Sequence, residues 1–356
     1  MPNAMARRKL QRVSLRDFLE RFHSEGACRD YLAKTRWPEG FVCPKCGSPR
    51  HCRMSNGLYQ CAECRRQTSV TAGTFLHRSH VPLTKWFLAM YFVTQDKRGI
   101  SAVQLAHTIG VNYKTAWLML KKIRAAMGQR DSRHLLSGTV EFDDAFFGGP
   151  TVGKKRGRDT EKAKVFVALS RNHGRPEYLK MRVTENIRKT SVRAFANSAI
   201  ASGSTIESDA CKSYIPALTA YDHQYEKYDA DSGMLHWLHK TISNAKSFIL
   251  GTYHGLPKRY LQSYLDEFCF RFSRRDFGAR LFDRLALAVI DTPQQVPTKR
   301  KPDCVTEVRV GNTALIVKGY FKQDATETAA DKMAKVIAAD AAMSTLRLID
   351  TNRKLI

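Results

Sequence analysis

Apolar positions along this chain change their period, and the changes divide it. Leu15, Phe18, Leu19 and Phe22 recur at helical spacing behind Ser14, a residue suited to cap a helix N-terminus. Cys28, Tyr31 and Leu32 continue the pattern, so residues 14–36 predict two short helices. Leu83, Trp86, Phe87, Met90 and Tyr91 form a strong apolar stripe inside a helical stretch from Pro82 to Met127. Within it, residues 101–108 predict a short helix capped by Ser101, and Gly110 stands where that helix must end. A third helix, 113–127, carries Lys114, Lys121, Lys122 and Arg124. Helix, glycine turn and basic helix form a helix-turn-helix pattern.

Past residue 139 the pattern becomes that of strands. Residues 139–143, 165–169 and 178–183 predict strands, with a hairpin turn at 172–176. A helix over 189–201, a strand over 204–209 and helices over 236–250 and 257–272 follow. Three strands, a helix, a strand and further helices is the order of a ribonuclease-H-like fold. Residues 291–303, rich in Pro and Lys, predict a linker. Residues 305–310 and 314–321 then flank Gly311-Asn312, a hairpin turn, before an Ala-rich amphipathic helix over 325–347.

Between the first helices and the apolar stripe lie two CxxC pairs, Cys43/Cys46 and Cys61/Cys64. Two such knuckles facing each other make a closed tetrahedral thiolate site, so residues 37–75 predict a ribbon holding one structural Zn²⁺. Nothing in the sequence suggests secretion, and the other cysteines are scattered, which argues against disulfides. The formal net charge is +26, and residues 1–140 hold 24 Lys/Arg against 8 Asp/Glu. That bias predicts a polyanion partner, double-stranded DNA in the first place. Asn112, Lys114 and Thr115, at the start of the third helix, are expected to reach base edges, with Lys121 and Lys122 further along it. Residues 1–135 are expected to bind DNA without the rest of the chain. No run is apolar for long enough to span a bilayer, and the start lacks a signal-peptide core, so the expected location is cytoplasmic, with the nucleoid.

Asp143 and Asp209 each end a predicted strand, and the fold order places those strands side by side. Two carboxylates at adjacent strand ends can share Mg²⁺ or Mn²⁺ and serve in-line attack on a phosphodiester.

Five blocks extend that reading. They are Val140-Glu-Phe-Asp-Asp-Ala-Phe-Phe-Gly-Gly149, Glu207-Ser-Asp-Ala-Cys-Lys-Ser-Tyr214, Ile242-Ser-Asn-Ala-Lys-Ser-Phe248, Gly251-Thr-Tyr-His-Gly255 and Tyr264 to Arg275. In this order they closely resemble bacterial insertion-sequence transposases of the DDE superfamily, in the group with a zinc ribbon of this spacing. The resemblance runs from about residue 14 to 290. It implies that Asp143 and Asp209 are the first two acids of a triad. Residues 236–250 contain no Asp or Glu for the third place. Some members carry Asn there followed by Lys, and Asn244 with Lys246 resembles that variant. His239 is the rival, seven residues before Lys246 and on nearly the same helix face; His236 is a lesser one. Asp144, Asp266 and Glu267 are expected to be structural. The basic loop Lys154, Lys155, Arg156 to Arg158, and the Arg271, Arg274, Arg275 cluster, would grip phosphates. The C-terminal hairpin resembles small transposon-encoded accessory proteins.

The fold class expected is a multidomain α+β chain. Residues 1–75 would be a helical lead and zinc ribbon, 76–135 a helix-turn-helix DNA-binding domain and 136–290 a ribonuclease-H-like α/β catalytic domain. A linker (291–303) and a small β-hairpin plus helix unit of unassigned role (304–356) complete it. The expected function is a DNA transposase that binds terminal inverted repeats and carries out metal-dependent strand cleavage and strand transfer, as a homo-oligomer on DNA. A regulator with a decayed catalytic domain, or a metal-dependent nuclease or resolvase, are the other classes that the missing acid leaves open.

Overall fold

The computed structural model describes residues 13–149, 161–227, 229, 233–254 and 256–291, and the backbone of 304–310 and 313–319. Residues up to 294 form one compact unit and the remainder a second.

The chain enters through α1 (Leu15–Arg21) and α2 (Glu25–Arg36), whose first-turn N–H groups donate to the Ser14 and Ser24 hydroxyls at 3.1 and 3.2 Å. A three-stranded antiparallel ribbon follows, β1 (His51–Arg53), β2 (Tyr59–Cys61) and β3 (Gln67–Thr68). Three helices come next: α3 (Leu83–Gln95), α4 (Ala102–Ile109) and α5 (Tyr113–Ser132). Ser101 caps α4, and Gly110 ends it in the left-handed conformation at φ 63°, which a residue without Cβ adopts at no steric cost. Asn112 caps α5, accepting from the Thr115 N–H at 2.8 Å.

The mixed sheet has the order β6-β5-β4-β7-β8. Its strands are β4 (Thr139–Phe147), β5 (Ala163–Asn172), β6 (Arg175–Thr184), β7 (Thr205–Asp209) and β8 (Asp222–Glu226). β4, β5 and β6 pair antiparallel, whereas β7 lies parallel to β4 and β8 parallel to β7. The crossover from β6 to β7 is α6 (Lys189–Ala199), which buries Phe195 and Val192 with Phe142, Phe166 and Tyr214 on one face of the sheet. α7 (His236–Thr252) and α8 (Lys258–Phe272) cover the other, packing Leu238, Ala245 and Leu265 on Val165, Val167 and Leu169. Both faces of β5 are therefore covered, which is why residues 165–169 read as a continuous apolar run.

α9 (Leu281–Asp291) departs from the domain boundaries expected above. Its apolar face, Phe282, Leu285 and Val289, joins the core of α1–α5, not the sheet. Phe282 meets Phe18 at 5.0 Å and Phe87 at 5.6 Å between ring centroids, and the Tyr31 hydroxyl donates to Asp283 at 2.6 Å. Residues 281–290 therefore complete the N-terminal helical layer, and residues 1–135 lack part of their own core.

In the second unit β9 (Cys304–Val310) pairs antiparallel with β10 (Thr313–Gly319). The helix expected over 325–347 lies outside the described residues.

Candidate metal and catalytic sites

In the ribbon the Sγ atoms of Cys43, Cys46, Cys61 and Cys64 all lie within 4.8 Å of one another. Cys43 to Cys64 and Cys46 to Cys61 are each 3.5 Å apart. Four sulfurs around a tetrahedral Zn²⁺ at about 2.3 Å sit about 3.8 Å from each other, so the donor set fits that ion. Cys43 and Cys61 are buried, and Trp37, Phe41 and Tyr59 pack around them. Burial pushes the Cys43 thiol up, but the backbone N–H groups of Cys46 and Lys45 outweigh it and bring it down to about 6, favouring the thiolate that zinc needs. Among the described residues this is the group of His, Cys, Asp or Glu side chains whose ligand atoms converge so closely.

The second site is built on the sheet. β4 and β7 stay in parallel register up to Phe142 opposite Ser208, and the next step along both strands is Asp143 and Asp209. Strand alternation sends Phe142 and Ile206 to the α6 face and Asp143 and Asp209 to the α7 face. The Asp143 carboxylate accepts the Asp144 N–H at 2.7 Å and keeps 21 % of its side-chain surface open. Asp144 points the other way and accepts the Tyr214 hydroxyl. Burial, then the charges of Asp144, Asp143 and Asp209, push that phenol well above its ordinary range, so it stays a neutral donor. This is the structural role expected for Asp144.

From α7, His239 reaches Asp143, Nε2 to Oδ2 at 3.3 Å. The hydrogen bond to Asp143 raises the imidazole pKa against the opposing effect of burial. Lys246, two turns on, lies on the same helix face. Its ammonium is 6.0 Å from the Phe147 ring, and burial lowers its pKa. Asn244 was expected beside Asp143. Five residues from His239, it points roughly 140° away around a 3.6-residue helix. It lines a separate open cavity of about 950 Å³ with Ser247, Phe248, Phe272 and Arg98. The side chain that the structure brings to Asp143 is thus His239. The sequence signal was the seven-residue spacing to Lys246. His236, in the first turn of α7, makes an edge contact with Trp237 at 5.3 Å.

Beneath the aspartates lies a network that motif reading passed over. Glu141, 1 % exposed, accepts the Leu238 N–H of α7 at 2.7 Å. Arg171 of β5 approaches Glu141 at 3.3 Å and donates to both Glu207 oxygens at 2.5 and 2.6 Å.

The arginines expected to grip phosphate have partners inside the protein. Arg271 pairs with Glu267 at 3.2 Å and donates to the Asp96 carbonyl, with 10 % of its side chain exposed. Arg274 pairs with Asp131 at 2.7 Å and lies over the Phe270 ring. Arg275 is more open, and its guanidinium donates to the carbonyls of Pro176, Glu177 and Phe272. These pairings correct the phosphate assignment for Arg271 and Arg274: their charge is neutralised where α8 meets α3 and α5. On α5, Asn112, Lys114 and Lys121 are exposed, Thr115 is half-buried, and Lys122 reaches the His77 carbonyl at 3.4 Å. Lys154, Lys155 and Arg156 lie outside the described residues. No helix among those described is long and apolar enough to cross a membrane.

Comparison with known proteins bears on both sites. Residues 135–273 match the ISXO2-like transposase domain, 23–67 the transposase zinc-ribbon domain and 306–340 the transposon-encoded protein TnpW. An uncharacterized protein in transposable element ISH50 of Halobacterium salinarum is 31% identical over 175 residues, 44% of this chain. The match spans 58% of that relative's length. Among solved structures, a simian T-cell lymphotropic virus intasome has a TM-score of 0.26 at 12% identity, covering 51% of this chain and 64% of that one. A pre-cleavage Mos1 transpososome has 0.25 at 13%, covering 54% and 74%. At those scores neither adds to the assignment, which rests on the sequence matches. Four clustered cysteines in a transposase zinc ribbon support structural zinc. Residues 23–67 and 135–273 thus carry, in order, a transposase zinc ribbon and an ISXO2-like transposase domain of the insertion-sequence type.

Proposed function

We propose that the chain is a DNA transposase that binds the terminal inverted repeats of its element and cuts and joins strands at a site made by Asp143, Asp209, His239 and Lys246. The observation that carries this is the geometry of β4, β7 and α7. Asp143, inside β4, and Asp209, at the end of the parallel neighbour β7, stand on one sheet face, and the helix covering that face brings His239 to Asp143. The strand order β6-β5-β4-β7-β8 supports the ribonuclease-H-like reading of the domain.

Asp143 and Asp209 offer hard oxygen donors suited to Mg²⁺ or Mn²⁺, and His239 offers a nitrogen, which Mn²⁺ accepts more readily than Mg²⁺ does. A divalent cation bound there supplies positive charge to the phosphate and lowers the pKa of the attacking water. His239 must be neutral to act as a ligand; protonated, it pairs with Asp143 instead. Lys246 sits where its ammonium can hold a phosphate oxygen beside the aspartates. Water oxygen bonds to phosphorus, the P–O3′ bond breaks, and the freed 3′-hydroxyl is the nucleophile for joining to target DNA.

The ribbon and the α4–α5 pair, read as a helix-turn-helix, would hold the repeats, with Lys114 and Lys121 toward DNA. Synapsis of two ends calls for an oligomer, and such an enzyme works at the nucleoid in the cytoplasm.

The test is cleavage of a labelled duplex carrying the element's end, with Mg²⁺ or Mn²⁺. Asp143→Ala, Asp209→Ala and His239→Ala should abolish cutting while leaving end binding intact, and Asn244→Ala should cut. A dead Asn244→Ala beside an active His239→Ala would return the third position to Asn244.

A further inference from the structure

Two residues before each catalytic aspartate stands a glutamate, Glu141 before Asp143 and Glu207 before Asp209. Strand alternation puts all four carboxylates on the α7 face of the sheet. One guanidinium spans the lower pair. Arg171 donates to both oxygens of Glu207 at 2.5 and 2.6 Å and stands 3.3 Å from Glu141, which is 1 % exposed. The same glutamate reaches upward to the helix. Leu235, at the N-terminal boundary of α7, has φ 54° and no side-chain cap, and Glu141 Oε2 accepts the Leu238 N–H at 2.7 Å instead. A carboxylate from the sheet thus does the work of a helix cap, one residue before His239.

We propose that Arg171, Glu141 and Glu207 form a positioning clamp for the cleavage site. It ties β4 to β7 just before Asp143 and Asp209, and through Glu141 it seats the first turn of α7 so that His239 meets Asp143. The clamp rests on the reading of Asp143 and Asp209 as the cation-binding pair. None of its members needs to touch DNA or metal. Groups that orient metal ligands in this way typically change metal affinity about 10–100-fold when removed.

The sign of the effect separates positioning from mere proximity. Arg171 is a positive charge next to a cation site. If it acted only through its charge, removing it would tighten cation binding. A clamp predicts the reverse. Mn²⁺ alone, titrated into the zinc-loaded full-length protein and followed by electron paramagnetic resonance, reads this without turnover. Arg171→Met should weaken Mn²⁺ binding about tenfold or more. Arg171→Lys keeps the charge, loses the planar fork and is the gentler change for folding; it should also bind several-fold more weakly than wild type. A cooperative melting transition that lies well above the assay temperature establishes that a variant is folded. Arg171→Lys binding Mn²⁺ as wild type does, or Arg171→Met binding it more tightly, overturns the clamp. Asp143→Ala and Asp209→Ala serve as reference: if they still bind Mn²⁺, the catalytic reading itself fails, whereas if they lose it while Arg171→Lys does not, only the clamp falls.

Discussion

Glu267 on α8 and Arg124 on α5 meet at 2.7 Å, with 1 % and 4 % of their side chains exposed. Arg124 lies over the Tyr264 ring at 3.8 Å, and Arg271 adds a second guanidinium to Glu267 at 3.2 Å. This buried cluster joins the basic helix α5 to the helix α8 that backs the five-stranded sheet. Glu267→Gln keeps the shape and removes the charge, leaving two buried guanidiniums facing a neutral amide. Breaking one partner of a buried pair costs about 3–5 kcal/mol, because the surviving charge stays desolvated. Arg124 retains its stacking on Tyr264, so the lower end of that range, about 3 kcal/mol, is expected. The double variant Arg124→Met, Glu267→Gln removes both charges and fills the space with a flexible apolar chain; it should recover about half of the loss. Urea unfolding of zinc-loaded protein at neutral pH measures both, with the midpoint converted through a shared slope. A Glu267→Gln variant within about 0.5 kcal/mol of wild type would refute the reasoning, since surface substitutions cost no more. So would a double variant less stable than the single one.

Three further outcomes follow from the structure. Cys61→Ser should release the single zinc and unfold the ribbon, checked by metal analysis of the purified protein, because three thiolates no longer close the site. Burial raises the Asp266 carboxyl from 3.8 to about 6. Its folded pKa lies above the unfolded one, so stability is fully present below pH 3.8 and is lost as pH rises through 6. Asp266→Asn, which keeps an acceptor for the Gln262 amide, should therefore raise the melting point at pH 7.5, by up to about 3 kcal/mol of stability, and leave it unchanged near pH 3.5; a pH-independent difference would contradict this. A chain ending at Thr298 lacks the segment resembling TnpW and should still cut element ends; loss of cutting in a soluble truncation would give that segment a part in the reaction.

Much of this architecture was legible because the signals are local. Paired CxxC needs only the chain on either side of each turn, and Asp209 does end β7, whereas Asp143, expected to end its strand, lies inside β4, which pairs with β5 as far as Phe147. What stayed hidden depends on distant partners. The apolar face of α9 says that it must be covered but not by what, and it finds Phe18 and Phe87 more than 190 positions earlier. Arg271 and Arg274 read as an open basic cluster because the Asp96 carbonyl and the Asp131 carboxylate that hold them come from far up the chain. Which side chain of α7 faces Asp143 is a matter of helix register. Asn244 and Lys246, two residues apart, are separated by roughly 160° around the axis, while His239 and Lys246 fall within roughly 20°.

The return of α9 to the first helices also sets an order of events during synthesis. Phe18, Phe22 and Phe87 leave the ribosome early, yet the ring that completes their cluster, Phe282, is made near the end of the first unit. Until then the helices that would read DNA have an uncovered aromatic surface and an incomplete core. A nascent chain broken off before about residue 280 is thus not a small DNA-binding protein waiting on its enzyme. It is an unfinished core, prone to aggregation and proteolysis. With the proposed function, such fragments would be poor competitors for the element's ends, and DNA recognition would arise only in chains that also carry the five-stranded sheet.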